Sequence, residues 1–108
     1  MSSTTPVIMI VHARIDSMEK YRRYSDAVRA SGLLACHGAV KLCGGPAFET
    51  LEGTFSEGEM MGVLGFPSAA AAHAFWDSPE YRKIAELRAD AGVFRIALWP
   101  LLPGAVQS

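Results

Sequence analysis

Cysteine is scarce in this 108-residue chain, which holds only Cys36 and Cys43. That is too few for a fold built on disulfides, so reduced thiols in the cytoplasm are the default reading. An excess of charge of either sign is also missing. Ten Lys and Arg against eleven Asp and Glu leave a formal net charge of −1. No global positive field therefore exists to draw in nucleic acid or an anionic membrane surface. No apolar run reaches the roughly 18 residues that a bilayer crossing needs. The opening Met-Ser-Ser-Thr-Thr-Pro has neither the basic start nor the apolar middle of a secretory signal. His12, His37 and His73 stand at no metal-ligand spacing to one another or to the cysteines, so no metal is expected. Gly44-Gly45 runs into Pro46, which lacks an N–H that a phosphate loop would use. No basic stripe with interleaved aromatics is present. No cofactor is expected.

What is present suits one folded domain, with half the residues apolar and 19% charged. Residues 1–5 are expected to be disordered, 6–100 to form the domain, and 101–108 to be a tail. Pro6 to Ile15 is apolar, rich in β-branched residues and nearly continuous, which predicts a first strand buried on both faces. Asp16 reads as a helix N-cap with Glu19 completing a capping box, and the helical spacing of Met18, Tyr21, Val28 and Ala35 carries the helix to about residue 36. Ala39 to Cys43 and Phe48 to Leu51 read as two pieces of a bent or bulged second strand, broken at Gly44-Gly45-Pro46. Glu57-Gly58-Glu59 is a turn, and Met60 to Phe66 is a third strand. Ser68 caps a second helix, which Asp77-Ser78-Pro79 breaks; Ser78 and Pro79 then start a third segment to about Asp90. Val93 to Trp99 is the last strand.

The order β-α-β-β-α-β is the split βαβ pattern, giving a ferredoxin-like α+β fold: four antiparallel strands with helices on one face. The other face of the sheet would be apolar and open to water in a monomer. Such a patch marks an interface, so a two-fold homodimer with sheets facing each other is expected.

From Gly65 to Arg88 the chain reads GFPSAAAAHAFWDSPEYRKIAELR. Together with Leu51-Glu52-Gly53, Tyr21 and Tyr24, this stretch resembles the domain-of-unknown-function family numbered 1330, within the dimeric α+β-barrel superfamily. The resemblance runs roughly from Val7 to Trp99 and implies the fold and the dimer. Superfamily relatives include cofactor-free monooxygenases, isomerases and decarboxylases, beside members with no known chemistry. One departure stands out: Cys43-Gly44-Gly45 replaces the family's Arg-Gly-Gly. An anion-binding role of that Arg would be lost or moved here.

His12 and Arg14 share a face of the first strand, and a His beside a cation is a candidate neutral general base. The competing reading is a solvated pair at the strand's open end. Glu52 is a candidate general acid or ligand anchor, against a turn residue that accepts backbone N–H bonds. Tyr24, Trp76 and Tyr81 are candidate pocket walls, with Phe75 beside them, against plain core packing. Arg14 or Arg88 would anchor an anion; the alternative for Arg88 is a surface ion pair with Glu80 or Glu86. Arg95, mid-strand, should pair with a carboxylate, within the subunit or across the dimer, rather than be buried alone. Two functions follow: a cofactor-independent enzyme (isomerase, decarboxylase or monooxygenase type) on a small aromatic or carboxylate metabolite, or a non-catalytic dimeric binding module. In either case the pocket is expected between helices and sheet, at the end where His12 and Arg14 emerge.

Overall fold

The computed structural model describes residues 5–104. The expectations for residues 1–4 and 105–108 lie outside the described residues. Four strands, β1 (Val7–Ile15), β2 (Val40–Gly45), β3 (Glu59–Phe66) and β4 (Gly92–Pro100), form one sheet in the order β2-β3-β1-β4. β1 is central and pairs antiparallel with both β3 and β4, and β2 pairs antiparallel with β3. The helices are α1 (Met18–Ser31), the single turn α2 (Leu33–Cys36), α3 (Ala69–Trp76) and α4 (Pro79–Ala85), followed by a 3₁₀ turn at Glu86–Arg88. This is the ferredoxin-like α+β fold that the element order predicts.

Side chains alternate across a strand, so β1 shows directly where the core lies. Val7, Met9, Ala13 and Ile15 are buried under the helices, while Ile8, Ile10, His12 and Arg14 point to the other face. Phe66, Ala72, Phe75 and Tyr81 complete the core from β3, α3 and α4. The open face carries Val63 opposite Ile10, with Ala97 on its other side, and Trp99 opposite Ile8. Val40, Leu42, Val93 and Trp99 are each at least half exposed there.

Local chemistry departs from the sequence pattern in four places, the end of the first helix among them. Asp16 does not cap α1. Its N–H and that of Ser17 both donate to the Ala91 carbonyl, at 2.7 and 3.0 Å, which holds Asp16 against the start of β4. Ser17 becomes the cap, its Oγ accepting from Lys20 N–H at 3.3 Å, and Glu19 pairs with Arg23 instead. α1 ends at Gly32, which adopts φ 70°, a left-handed cap that glycine takes without a Cβ penalty. Phe48 to Leu51 is not a strand: residues 46–58 form one exposed loop, with Phe48 fully exposed and Leu51 90% exposed. The irregularity in β2 falls at Leu42 rather than at the glycines, between Lys41 opposite Leu64 and Cys43 opposite Val63. The break between α3 and α4 is as the sequence predicts. Ser78 Oγ accepts from Tyr81 N–H at 3.1 Å and donates to the Phe75 carbonyl at 2.9 Å, joining the two helices at a corner.

Candidate functional site

A cavity of about 390 Å³ lies between the sheet and the helices, within the range typical of small-molecule sites. Its floor is the helix-facing side of the sheet: Met9, Val11 and Ala13 from β1, Leu64 from β3, and Phe94 and Ile96 from β4. Tyr21, Tyr24 and Val28 of α1 form one wall, and Phe75, Trp76 and Tyr81 the other. The helix corner at Ser78 explains the second wall. Because the chain turns there, Trp76 and Tyr81 sit with ring centroids 5.4 Å apart, and Phe75 and Tyr81 at 4.5 Å.

Two hydroxyls meet in this wall. Tyr24 Oη and Tyr81 Oη lie 2.8 Å apart, and Tyr81 is 1% exposed. Burial, reinforced by the Tyr81 hydroxyl, holds the Tyr24 phenol protonated well above the ordinary tyrosine range, against the opposing pull of Arg88. Burial also raises Tyr21. Tyr24 is thus a neutral hydrogen-bond donor at any physiological pH. Arg88 stands at the same wall: its guanidinium carbon lies 4.9 Å from the centre of the Phe94 ring and 5.6 Å from that of Tyr24. Its Nε is buried without a hydrogen-bond partner. No ion pair joins Arg88 to Glu80 or Glu86 among the described residues.

The charged groups lining the cavity are Arg29 and Lys41, and its lining includes neither a carboxylate nor an imidazole. Arg29 is tied to Asp26 at 2.9 Å. Lys41 precedes the irregularity in β2, opposite Leu64, so it projects on the helix side. Gly44 leaves room for it, since a Cβ there would come within 2.9 Å of the lysine Cε.

Of the residues singled out in the sequence, Tyr24, Trp76 and Tyr81 come together at this cavity, with Arg88 beside them. His12 and Arg14 do not. They face the open side of the sheet, where they line a separate recess of about 200 Å³ with Ser56, Glu59, Val93 and Arg95. A strand apolar on both faces carries no alternation to say which face His12 takes. Glu52 lies in the exposed loop and lines neither cavity. Lys41, Arg29 and Glu59 were not singled out as site residues. The alternation Met9, Val11, Ala13 pointed to the floor, whereas the side taken by Lys41 depends on the register around Leu42, which the sequence does not show.

The chain matches, over residues 6–100, the family described as domain of unknown function (DUF1330). It belongs to that family. No curated protein matches its sequence. Among solved structures, a protein of unknown function from Rhodopseudomonas palustris is 21% identical, with a TM-score of 0.69, covering 93% of this chain and 85% of that one. A hydroxynitrile lyase from Passiflora edulis is 15% identical, with a TM-score of 0.70 and coverage of 93% and 96%. A dimeric ferredoxin-like protein of unknown function from Thermobifida fusca YX is 11% identical, with a TM-score of 0.68 and coverage of 94% and 95%. At these identities the likeness establishes the fold. No helix among the described residues is long and apolar enough to cross a membrane.

Proposed function

We propose that this protein is a homodimer whose subunits each bind one small amphipathic anion, an aromatic or aliphatic carboxylate, in the cavity between helices and sheet. The observation that carries the reading is the composition of the cavity: apolar and aromatic walls, with cations as its charged lining groups. An apolar body fits among Met9, Tyr24, Trp76 and Phe94. Its acidic group would meet Lys41 and Arg29 at the mouth, with the Tyr24 hydroxyl and Arg88 as inner donors. Dimerisation through the open sheet face is supported by its exposed apolar side chains, Val40, Leu42 and Trp99, and by the dimeric neighbour from Thermobifida fusca. A cytoplasmic location accords with the two free thiols, Cys36 and Cys43.

A second reading, a cofactor-independent enzyme at the same cavity, is favoured by the Tyr24–Tyr81 pair. A phenol held protonated in an apolar wall is suited to donating a hydrogen bond to negative charge that develops on a substrate oxygen. The lyase neighbour is consistent with that chemistry on this fold. His12 would have no part in it, because it lies on the other side of the sheet.

The two tryptophans provide the test, since Trp76 lines the cavity and Trp99 lies on the open face. Anilinonaphthalenesulfonate, an aromatic anion, should quench Trp76 saturably in the Trp99→Phe variant. It should bind about tenfold more weakly in Lys41→Met, the loss expected for one charge-assisted contact. The neutral phenylnaphthylamine should be insensitive to Lys41→Met. Equal affinity of both dyes in both proteins would refute the anion preference, and no saturable quenching of Trp76 would refute the site.

A further inference from the structure

On the open face, one end of the sheet breaks the apolar pattern. His12 lies directly opposite Arg95 across β1 and β4, and Arg14 lies opposite Glu59 across β1 and β3. Glu59 is fully engaged. Its Oε1 accepts from Ser56 N–H at 2.8 Å and from Ser56 Oγ at 3.0 Å, and its Oε2 meets His12 Nε2 at 2.9 Å. Those bonds, the backbone donor first, hold the Glu59 carboxyl below its ordinary range. An ionised carboxylate only accepts, so Nε2 carries the proton that joins the pair. The other ring nitrogen, Nδ1, has no partner among the described residues.

The guanidinium groups are differently placed. Arg14 reaches Asp16 only at 3.5 Å, in an exposed contact. Arg95 forms no ion pair within its own subunit among the described residues. With His12 neutral, the recess lining sums to +1 (Arg14 and Arg95 against Glu59). Ser56 and His12 keep the one lining carboxylate turned to themselves, leaving Arg95 unneutralised.

Backbone geometry supports the arrangement. Gly58, at φ 85°, precedes Glu59 and accepts Ile15 N–H at 2.8 Å, and a side chain there would strike the Ile15 carbonyl. Gly92 begins β4, and a Cβ on it would collide with the Arg14 carbonyl. Two close backbone approaches thus fix the ends of three strands around the recess.

We propose that this recess is a second binding site, separate from the helix-side cavity, for a small oxyanion held by Arg95 and Arg14 beside the His12–Glu59 pair. Val93 supplies its one apolar wall, and about 200 Å³ suits a short carboxylate or a phosphate group rather than a large metabolite. Both carry the oxygen geometry that guanidinium donors recognise. The polar cluster sits at the edge of the apolar face, so the site is compatible with a second copy covering the centre of the sheet.

The test is a titration of the isotope-labelled full chain, followed by its amide and histidine ring resonances. Inorganic phosphate and acetate are added separately, at ionic strength held constant with sodium chloride. Saturable shifts at His12, Ser56, Glu59 and Arg95, with Tyr24 and Trp76 still, are the expected result. Saturation with phosphate alone or with acetate alone supports the site and identifies which oxyanion it takes. Arg95→Gln, an exposed substitution, should weaken binding about tenfold while leaving the remaining spectrum in place. Arg14→Gln should weaken it in the same direction. No saturation with either anion, or unchanged affinity in Arg95→Gln, would overturn the proposal. Neither result bears on dye binding at the helix-side cavity.

Discussion

The Tyr24–Tyr81 hydroxyl pair makes the sharpest energetic prediction. The two oxygens are 2.8 Å apart, and each is the other's hydrogen-bond partner among the described residues. Tyr81→Phe keeps the ring, and with it the packing on Phe75 and Trp76, but it strands the Tyr24 hydroxyl. Tyr24→Phe strands the Tyr81 hydroxyl, on a residue only 1% exposed. A typical hydrogen bond contributes about 0.5–1.5 kcal/mol net, whereas a buried polar group left alone costs about 1–3 kcal/mol. Tyr24 lines the cavity, where water can replace a lost partner; Tyr81 is more enclosed. Tyr24→Phe should therefore cost about 2 kcal/mol and Tyr81→Phe about 1 kcal/mol. The double variant should cost less than the sum by roughly 1 kcal/mol, because the second substitution removes a group already stranded. Urea denaturation at a single protein concentration reads all four species; for a domain of this size 1 kcal/mol corresponds to roughly 4–8 °C in Tm. Additivity within about 0.3 kcal/mol, or a larger loss for Tyr81→Phe, would refute the assignment of the pair as mutual partners.

Further outcomes are expected elsewhere. Val63→Asp, at the centre of the open face opposite Ile10, should convert the proposed dimer to a folded monomer by sedimentation; a dimer unchanged at micromolar concentration would mean that another surface is used. Tyr24 titrates above its ordinary 10.0 in the folded state, so the stability linked to it is complete below about pH 10 and falls as pH rises further. Alkaline difference absorbance should show late tyrosinate titration from Tyr24 and Tyr21, which Tyr24→Phe diminishes. Glu59 titrates below its ordinary 4.5. The stability it contributes is therefore present above that pH and lost as the pH falls through its folded value. Glu59→Gln should flatten the acid limb of the stability curve, and an unchanged limb would count against the His12–Glu59–Ser56 arrangement. Cys36, free and exposed on the helix side of the sheet, should react with Ellman's reagent in the native protein; no reactive thiol on fresh protein would contradict that.

The second half of the element order was legible because α3 and α4 carry their own start signals: Ser68 and Ser78 cap them as their positions suggest, and Pro79 opens α4. The pocket wall was legible for the same reason, since a Ser-Pro break between Trp76 and Tyr81 forces a corner. The site of His12 was not legible. β1 is apolar on both faces, so no periodicity distinguished the face of Met9 from that of His12. Phe48 to Leu51 misled because strand propensity measures fit to a pleated, half-buried surface, and this segment finds no partner strand. Glu52 fell with it, into the same exposed loop, where it lines neither cavity. Lys41 escaped notice because its side of the sheet follows from a register shift that only pairing with β3 displays.

The central claim is that the helix-side cavity holds an amphipathic anion with its acid at the mouth. A crystal structure of the protein grown with anilinonaphthalenesulfonate tests it directly. The rings should lie among Met9, Tyr24, Trp76 and Phe94, with the sulfonate within hydrogen-bond reach of Lys41 or Arg29. Density for the dye only on the open face around Val63 and Trp99, or a cavity closed by repacking of Trp76 onto β4, would contradict it.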